Sequence, residues 1–165
     1  MLFRSTTLNR LETTDLVSLT TTEIDSLTTA QLNGLNTTNL GALTTTQVTA
    51  FSTTQVSGLT AATLNSLETT DLVALTTTQV NALTAAQLNT INSTTMGALT
   101  TTQVTSLSTT QVAGLSSTAL NNLETTDLVA LTTTEINALT TAQLNGLNTT
   151  AVAGLTTTQV TSLAT

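Results

Sequence analysis

The sequence predicts an all-α fold: a solenoid or superhelix of very short capped helices, one to each eight residues. Three observations carry this. The chain repeats with an unbroken period of eight, most repeats open with helix-capping residues, and two apolar positions bracket that cap. Cut from Phe3, twenty octads run without insertion or deletion to Ser162, and residues 163–165 begin a truncated one. Residues 3–162 thus read as a single repeat domain, in line with a length of 165 residues.

Position 1 is always large and apolar, and so is position 6. Position 2 is Thr, Ser or Asn in 16 octads, and position 5 is Gln or Glu in 11. A hydroxyl at position 2 accepts from the N–H of position 5, and a Gln or Glu there reaches back to the N–H of position 2. This is the capping box, and positions 1 and 6 form the hydrophobic staple around it. The predicted core is therefore drawn from those two positions. It includes Leu43, Val48, Phe51, Val56, Leu67 and Leu72. It continues through Leu75, Val80, Leu99, Val104, Leu123 and Leu128. Positions 3 and 4 are only Thr, Ser or Ala, and position 7 varies freely, which reads as a solvent position. Position 8 is Ala, Gly or Ser in 17 octads, which suits a tight reversal, with Gly free to take a positive φ. A helix of about six residues is unstable alone in water, so the octads must stack.

The alternative is a β-solenoid, because Thr and Val favour strands. A flat strand would send positions 1 and 6 to opposite faces, so that reading needs a corner inside the octad. A longer period lies over the octads: "LETTDLV" recurs at Leu11, Leu67 and Leu123. This defines super-repeats at 11–66, 67–122 and, partially, 123–165. Duplication of a seven-octad segment explains it. So does a superhelix that returns to the same face after seven octads.

Composition narrows the function. Leu, Ile, Val and Phe make up roughly 27% of the chain, above the ~20% below which disorder is expected. The chain has no Cys, His, Lys, Trp, Tyr or Pro, and two basic residues, Arg4 and Arg10, against nine acidic ones, for a net charge of −7. Nucleic-acid binding needs cations to replace counterions and is not expected. No apolar run approaches the ~18 residues of a membrane span, and the first residues show no signal-peptide core. Hydroxyls abound without a base beside them, so no enzyme and no cofactor are expected. The one recurrent charged constellation is the "ETTD" pair: Glu12 with Asp15, Glu68 with Asp71, and Glu124 with Asp127. It reads either as a weak Ca²⁺ candidate or as an acidic pair facing water at a helix N-terminus. Rows of threonines, as at Thr44–Thr46 and Thr100–Thr102, suit either plain capping or a face for ice or glycan. Asn36, Asn92 and Asn148 begin Asn-X-Ser/Thr triplets, as chance allows in so Asn- and Thr-rich a chain.

The octads "LTTTQVTA", "LTTAQLNG" and "LTTTEINA" resemble the octapeptide arrays of large bacterial secreted or surface proteins of adhesin-like character. The likeness spans Phe3 to Thr165. It implies an extracellular stalk, spacer or scaffold, located outside the cell or at its surface. "LTTTQV" also resembles the opening of the first helix in transcription-activator-like effector repeats, which bears on helix initiation alone. Finally, Leu163 has no following octad to staple, and the first octad holds the only arginines. The chain is therefore expected either to be cut from a longer array or to join a second copy end to end in a salt-sensitive filament.

Overall fold

The structure is a computed structural model that describes residues 8–163. Phe3, Arg4, Ala164 and Thr165, on which the array boundaries and the arginine-bearing end were read, lie outside the described residues. From Leu11 to Ser162 every octad forms one α-helix of four to six residues, as in Thr45–Thr49, Thr77–Ala82 and Ala85–Leu88. Among the described residues there is no strand, so the β-solenoid alternative falls. Local chemistry explains the outcome: each of the 11 octads with Gln or Glu at position 5 closes a complete capping box. In one of them the Thr44 hydroxyl accepts from the Gln47 N–H at 3.2 Å, and Gln47 Oε1 accepts from the Thr44 N–H at 2.9 Å.

Helix ends differ from the expected glycine reversal. No described residue has positive φ, glycines included. The last residue of an octad stays helical, as at Ala50 (φ −82°, ψ −6°) and Gly58 (φ −97°, ψ 0°). The chain then turns its corner through extended residues at positions 1 and 2, as at Leu67 (φ −70°, ψ 147°) and Glu68 (φ −68°, ψ 152°). Extended backbone suits leucine and threonine, so the corner needs no special residue.

The described residues fall into two compact units divided between Leu83 and Thr84. In the first, each helix packs on the one three octads later, as Thr45–Thr49 does on Thr69–Ala74. In the second, Thr101–Thr105 packs on Thr125–Ala130, which in turn packs on Thr149–Gly154. Positions 1 and 6 point inward in both. Val48, Val56, Val80 and Val104 are fully buried, and Leu43, Phe51, Leu67, Leu72, Leu75, Leu99, Leu123 and Leu128 are nearly so. Burial of each of these side chains contributes about 1.5–3 kcal/mol, which is how helices too short to stand alone are held.

Candidate functional site

The polar side chains that the sequence repeats most faithfully act between coils. Glutamine at position 5 has two roles. Its Oε1 completes the box of its own octad, while its Nε2 donates to carbonyls of the preceding coil. Gln47 Nε2 reaches Leu16 O at 2.9 Å, Val17 O at 3.2 Å and Leu19 O at 2.9 Å. Gln55 does the same to Ile24, Asp25 and Leu27, and Gln79 to Val48, Thr49 and Phe51. In the second unit Gln143 donates to Ala113 O at 3.0 Å and Gln159 to Leu131 O at 2.8 Å. The receiving carbonyls lie in the last turn of a helix and in the corner after it, where the Leu16 carbonyl also accepts from the Leu19 N–H at 3.2 Å. Each amide therefore caps two helices: the start of its own and the end of one below.

These bonds measure the coil. In both units the amide bonds between coils join residues 25 to 31 apart, and the bond from each glutamine to a position-1 carbonyl, at 28 residues or three and a half octads, lies at the middle of that range.

Position 7 is a second rung rather than a solvent position at Asn9, Asn33, Asn89 and Asn121, whereas Asn81, Asn137 and Asn145 are exposed as expected. Asn33 Nδ2 donates to Gly58 O at 2.8 Å, and Asn33 Oδ1 accepts from the Thr60 N–H at 2.9 Å and the Thr63 hydroxyl at 2.8 Å. Asn89 joins Gly114 O at 2.9 Å to the Ser116 N–H at 2.7 Å, and Asn121 joins Gly146 O at 2.9 Å to the Asn148 N–H at 2.8 Å. Asn9 likewise spans Gly34 and Asn36. The signal was present in the sequence. After the first octad, those without Gln, Glu or Asp at position 5 carry Asn39, Thr63, Thr95, Ala119 or Ala151. Each has an asparagine 27 residues before its position 2: Asn9, Asn33, Asn65, Asn89 and Asn121 respectively. In the octads of Asn39, Thr63, Ala119 and Ala151 the position-2 N–H donates to that asparagine of the coil before.

Glycine at position 8 serves close approach rather than a left-handed turn. A Cβ on Gly58 would stand 2.5 Å from Thr29 Cγ2, and one on Gly114 would stand 2.6 Å from Ala85 Cβ.

The acidic pairs split. Glu12, Asp15, Glu68 and Glu124 are exposed, but Asp71 and Asp127 are 3% and 2% exposed, so the reading of both carboxylates as water-facing is corrected for these two. The reason is the same inward orientation of position 5. Thr45 Oγ1 donates to Asp71 Oδ1 at 2.9 Å and Thr101 Oγ1 to Asp127 Oδ1 at 2.8 Å, while Asp127 Oδ2 is buried with no hydrogen-bond partner. Burial raises both carboxyls above the ordinary aspartate range, against the opposing hydroxyl bonds. Glu23, on the outside, is lowered by the Thr20 backbone N–H and then its hydroxyl. Among the described residues no three acidic side chains come together, so the weak Ca²⁺ candidates do not assemble into one site. The position-4 threonines Thr46, Thr54, Thr78, Thr102 and Thr110 are exposed.

Short capped helices, each packed on the helix three octads later and tied by amide rungs, define a helical repeat protein of the solenoid class. The chain belongs to the ALTTAQ repeat family, whose repeat matches residues 8–45, 64–101 and 120–157, more than half of the sequence. Those matches start at the 56-residue spacing of the super-repeat. No curated protein matches the chain. Among the described residues no helix is long and apolar enough to cross a membrane.

Proposed function

We propose that the chain is a structural repeat module, serving as an extracellular stalk, spacer or scaffold in a bacterial secreted or surface protein. The observation that carries this reading is how the polar side chains are used. Gln47, Gln55, Gln79, Gln143 and Gln159 turn their amides into the neighbouring coil, as Asn33, Asn89 and Asn121 do. The outward surface is largely neutral hydroxyl, with no His, Cys or Lys in the chain to act on a substrate. A spacer needs length, solubility and resistance to pulling apart, and an uninterrupted repeat with a hydroxyl surface and polar side chains spent between coils suits those needs. The test places the chain between two fluorescent labels and adds or removes one super-repeat. The spacer reading expects label separation to change by equal steps, and an unchanged separation contradicts it. Protease shaving of intact cells tests the surface location, since a chain left uncut until lysis would oppose it.

A second reading rests on Val152 and Val160, which are 50% and 49% exposed at a position that is buried in every octad from Leu8 to Ile136. A second copy stacked on that coil would cover them and extend the array into a filament. Val152→Glu with Val160→Glu then abolishes concentration-dependent association, and a strictly monomeric wild type rejects the filament.

A further inference from the structure

Asp71 and Asp127 occupy the position where other octads place a glutamine amide against the preceding coil. By the offsets of 31, 30 and 28 residues that Gln143 and Gln159 show, the carbonyls across from Asp127 are those of Met96, Gly97 and Leu99. Those across from Asp71 are Leu40, Gly41 and Leu43, by the offsets of Gln47 and Gln79. Position 7 is glycine at Gly41 and Gly97 and nowhere else in the chain, so the sequence treats these two joints alike. Carbonyls only accept hydrogen bonds. An ionised carboxylate also only accepts, whereas a protonated one carries an O–H donor.

A buried carboxylate without a counter-charge is costly. No cation is among the groups acting on either carboxyl, and the chain has no Lys or His and two Arg. Asp127 Oδ2 is buried and without a partner, and each aspartate receives one threonine hydroxyl. The helix Thr45–Thr49, packed on the helix of Asp71, holds no titratable side chain. Neither do Thr101–Thr105 and Thr149–Gly154, packed on the helix of Asp127. Glu68 and Glu124 are the further charges acting on the two aspartates, and both disfavour ionisation.

We propose that Asp71 and Asp127 are proton-binding joints: each holds a proton whose O–H supplies the preceding coil with the hydrogen bond that a glutamine amide supplies elsewhere, and losing it loosens the joint. One such joint lies in each compact unit, 56 residues apart. Removal of the proton sets acceptor against acceptor inside a water-poor contact. The sign of the pH effect follows. With the folded carboxyl raised above its unfolded value, near ~3.9 for aspartate, the folded chain binds the proton more tightly than the unfolded one. The stabilisation is complete below the unfolded value and is lost as pH rises through the folded one.

The experiment follows the thermal midpoint between about pH 4 and pH 8, across which carboxyl linkage is read. It compares the wild type, the double variant Asp71→Asn/Asp127→Asn, and the exposed-charge control Glu12→Gln/Asp15→Asn. The wild-type midpoint falls as pH rises, the control runs parallel to it, and the Asn pair, which keeps a donor at all pH values, gives a flatter profile and a higher midpoint at neutral pH. A double variant that keeps the full wild-type slope overturns the proposal. So does a wild-type midpoint at neutral pH that rises with added CaCl₂ while the double variant is unmoved, since the joint would then hold a metal ion. Carbon-13 NMR of the aspartate carboxyls in the unmodified chain reads the proton directly. Asp71 and Asp127 ionising together with the exposed Asp15 overturns the reading as well.

Discussion

Gln79→Glu separates the two roles of the position-5 amide. The substitution keeps an oxygen for the Thr76 N–H, now accepted by Gln79 Oε1 at 2.8 Å, and so preserves the box. It replaces Nε2, which donates to Thr49 O at 3.0 Å and Phe51 O at 2.7 Å, with a second oxygen. Two N–H groups vanish from a site that is 4% exposed. A buried polar group left without its partner costs about 1–3 kcal/mol, and the new charge faces carbonyl oxygens, so the total is about 2–3 kcal/mol. For a chain of this size that lowers the thermal midpoint by roughly 4–12 °C. Glu23→Gln makes the reverse exchange at an exposed position outside any rung and changes stability by less than about 0.5 kcal/mol. Both are read by thermal and urea unfolding at neutral pH. In acid the Gln79→Glu carboxyl regains a donor and the deficit shrinks. Equal, small effects of the two substitutions would refute the claim that the amides bind coil to coil.

Asn89→Ala removes the bridge between Gly114 O and the Ser116 N–H and costs about 1–2 kcal/mol. Asn81→Ala, at an exposed position 7 whose corresponding octad closes its own box through Gln111, costs less than about 0.5 kcal/mol in the same unfolding assay. Gly114→Ala brings a methyl within 2.6 Å of Ala85 Cβ and costs about 1–3 kcal/mol, and Ala85→Gly in the same chain restores most of it. Leu75→Ala, at a side chain 4% exposed, costs about 2–5 kcal/mol by calorimetry.

Helix, cap and core were legible because each is written inside one octad. Thr44 and Gln47 stand three residues apart, and Leu43 and Val48 flank them. What links coils is written across octads. Asn33 looks like any other position-7 residue until Thr60 and Thr63, three and a half octads on, are seen to lack a Gln or Glu of their own. Gln47 was legible as half of a box, but one end of its amide belongs to a neighbour 28 residues away. Gly58 suggested a reversal because glycine often ends helices, whereas here the limit is the space beside Thr29. Asp71 and Asp127 read as exposed because acidic residues favour the first helical turn, and only the stacking of coils shows that the same turn faces inward.

The central claim is a coil of three and a half octads, and cysteine pairing tests it most directly because the chain has no cysteine of its own. A Cβ on Gly58 lies 3.4 Å from Thr29 Cβ, close to the separation a disulfide needs. Thr29→Cys with Gly58→Cys should therefore oxidise rapidly to an intramolecular disulfide under mild conditions. Thr29→Cys paired with Ala50→Cys or Ser66→Cys, one octad short and one octad long, should remain reduced. Preferential oxidation of either offset pair would contradict the coil length and with it the rung assignments.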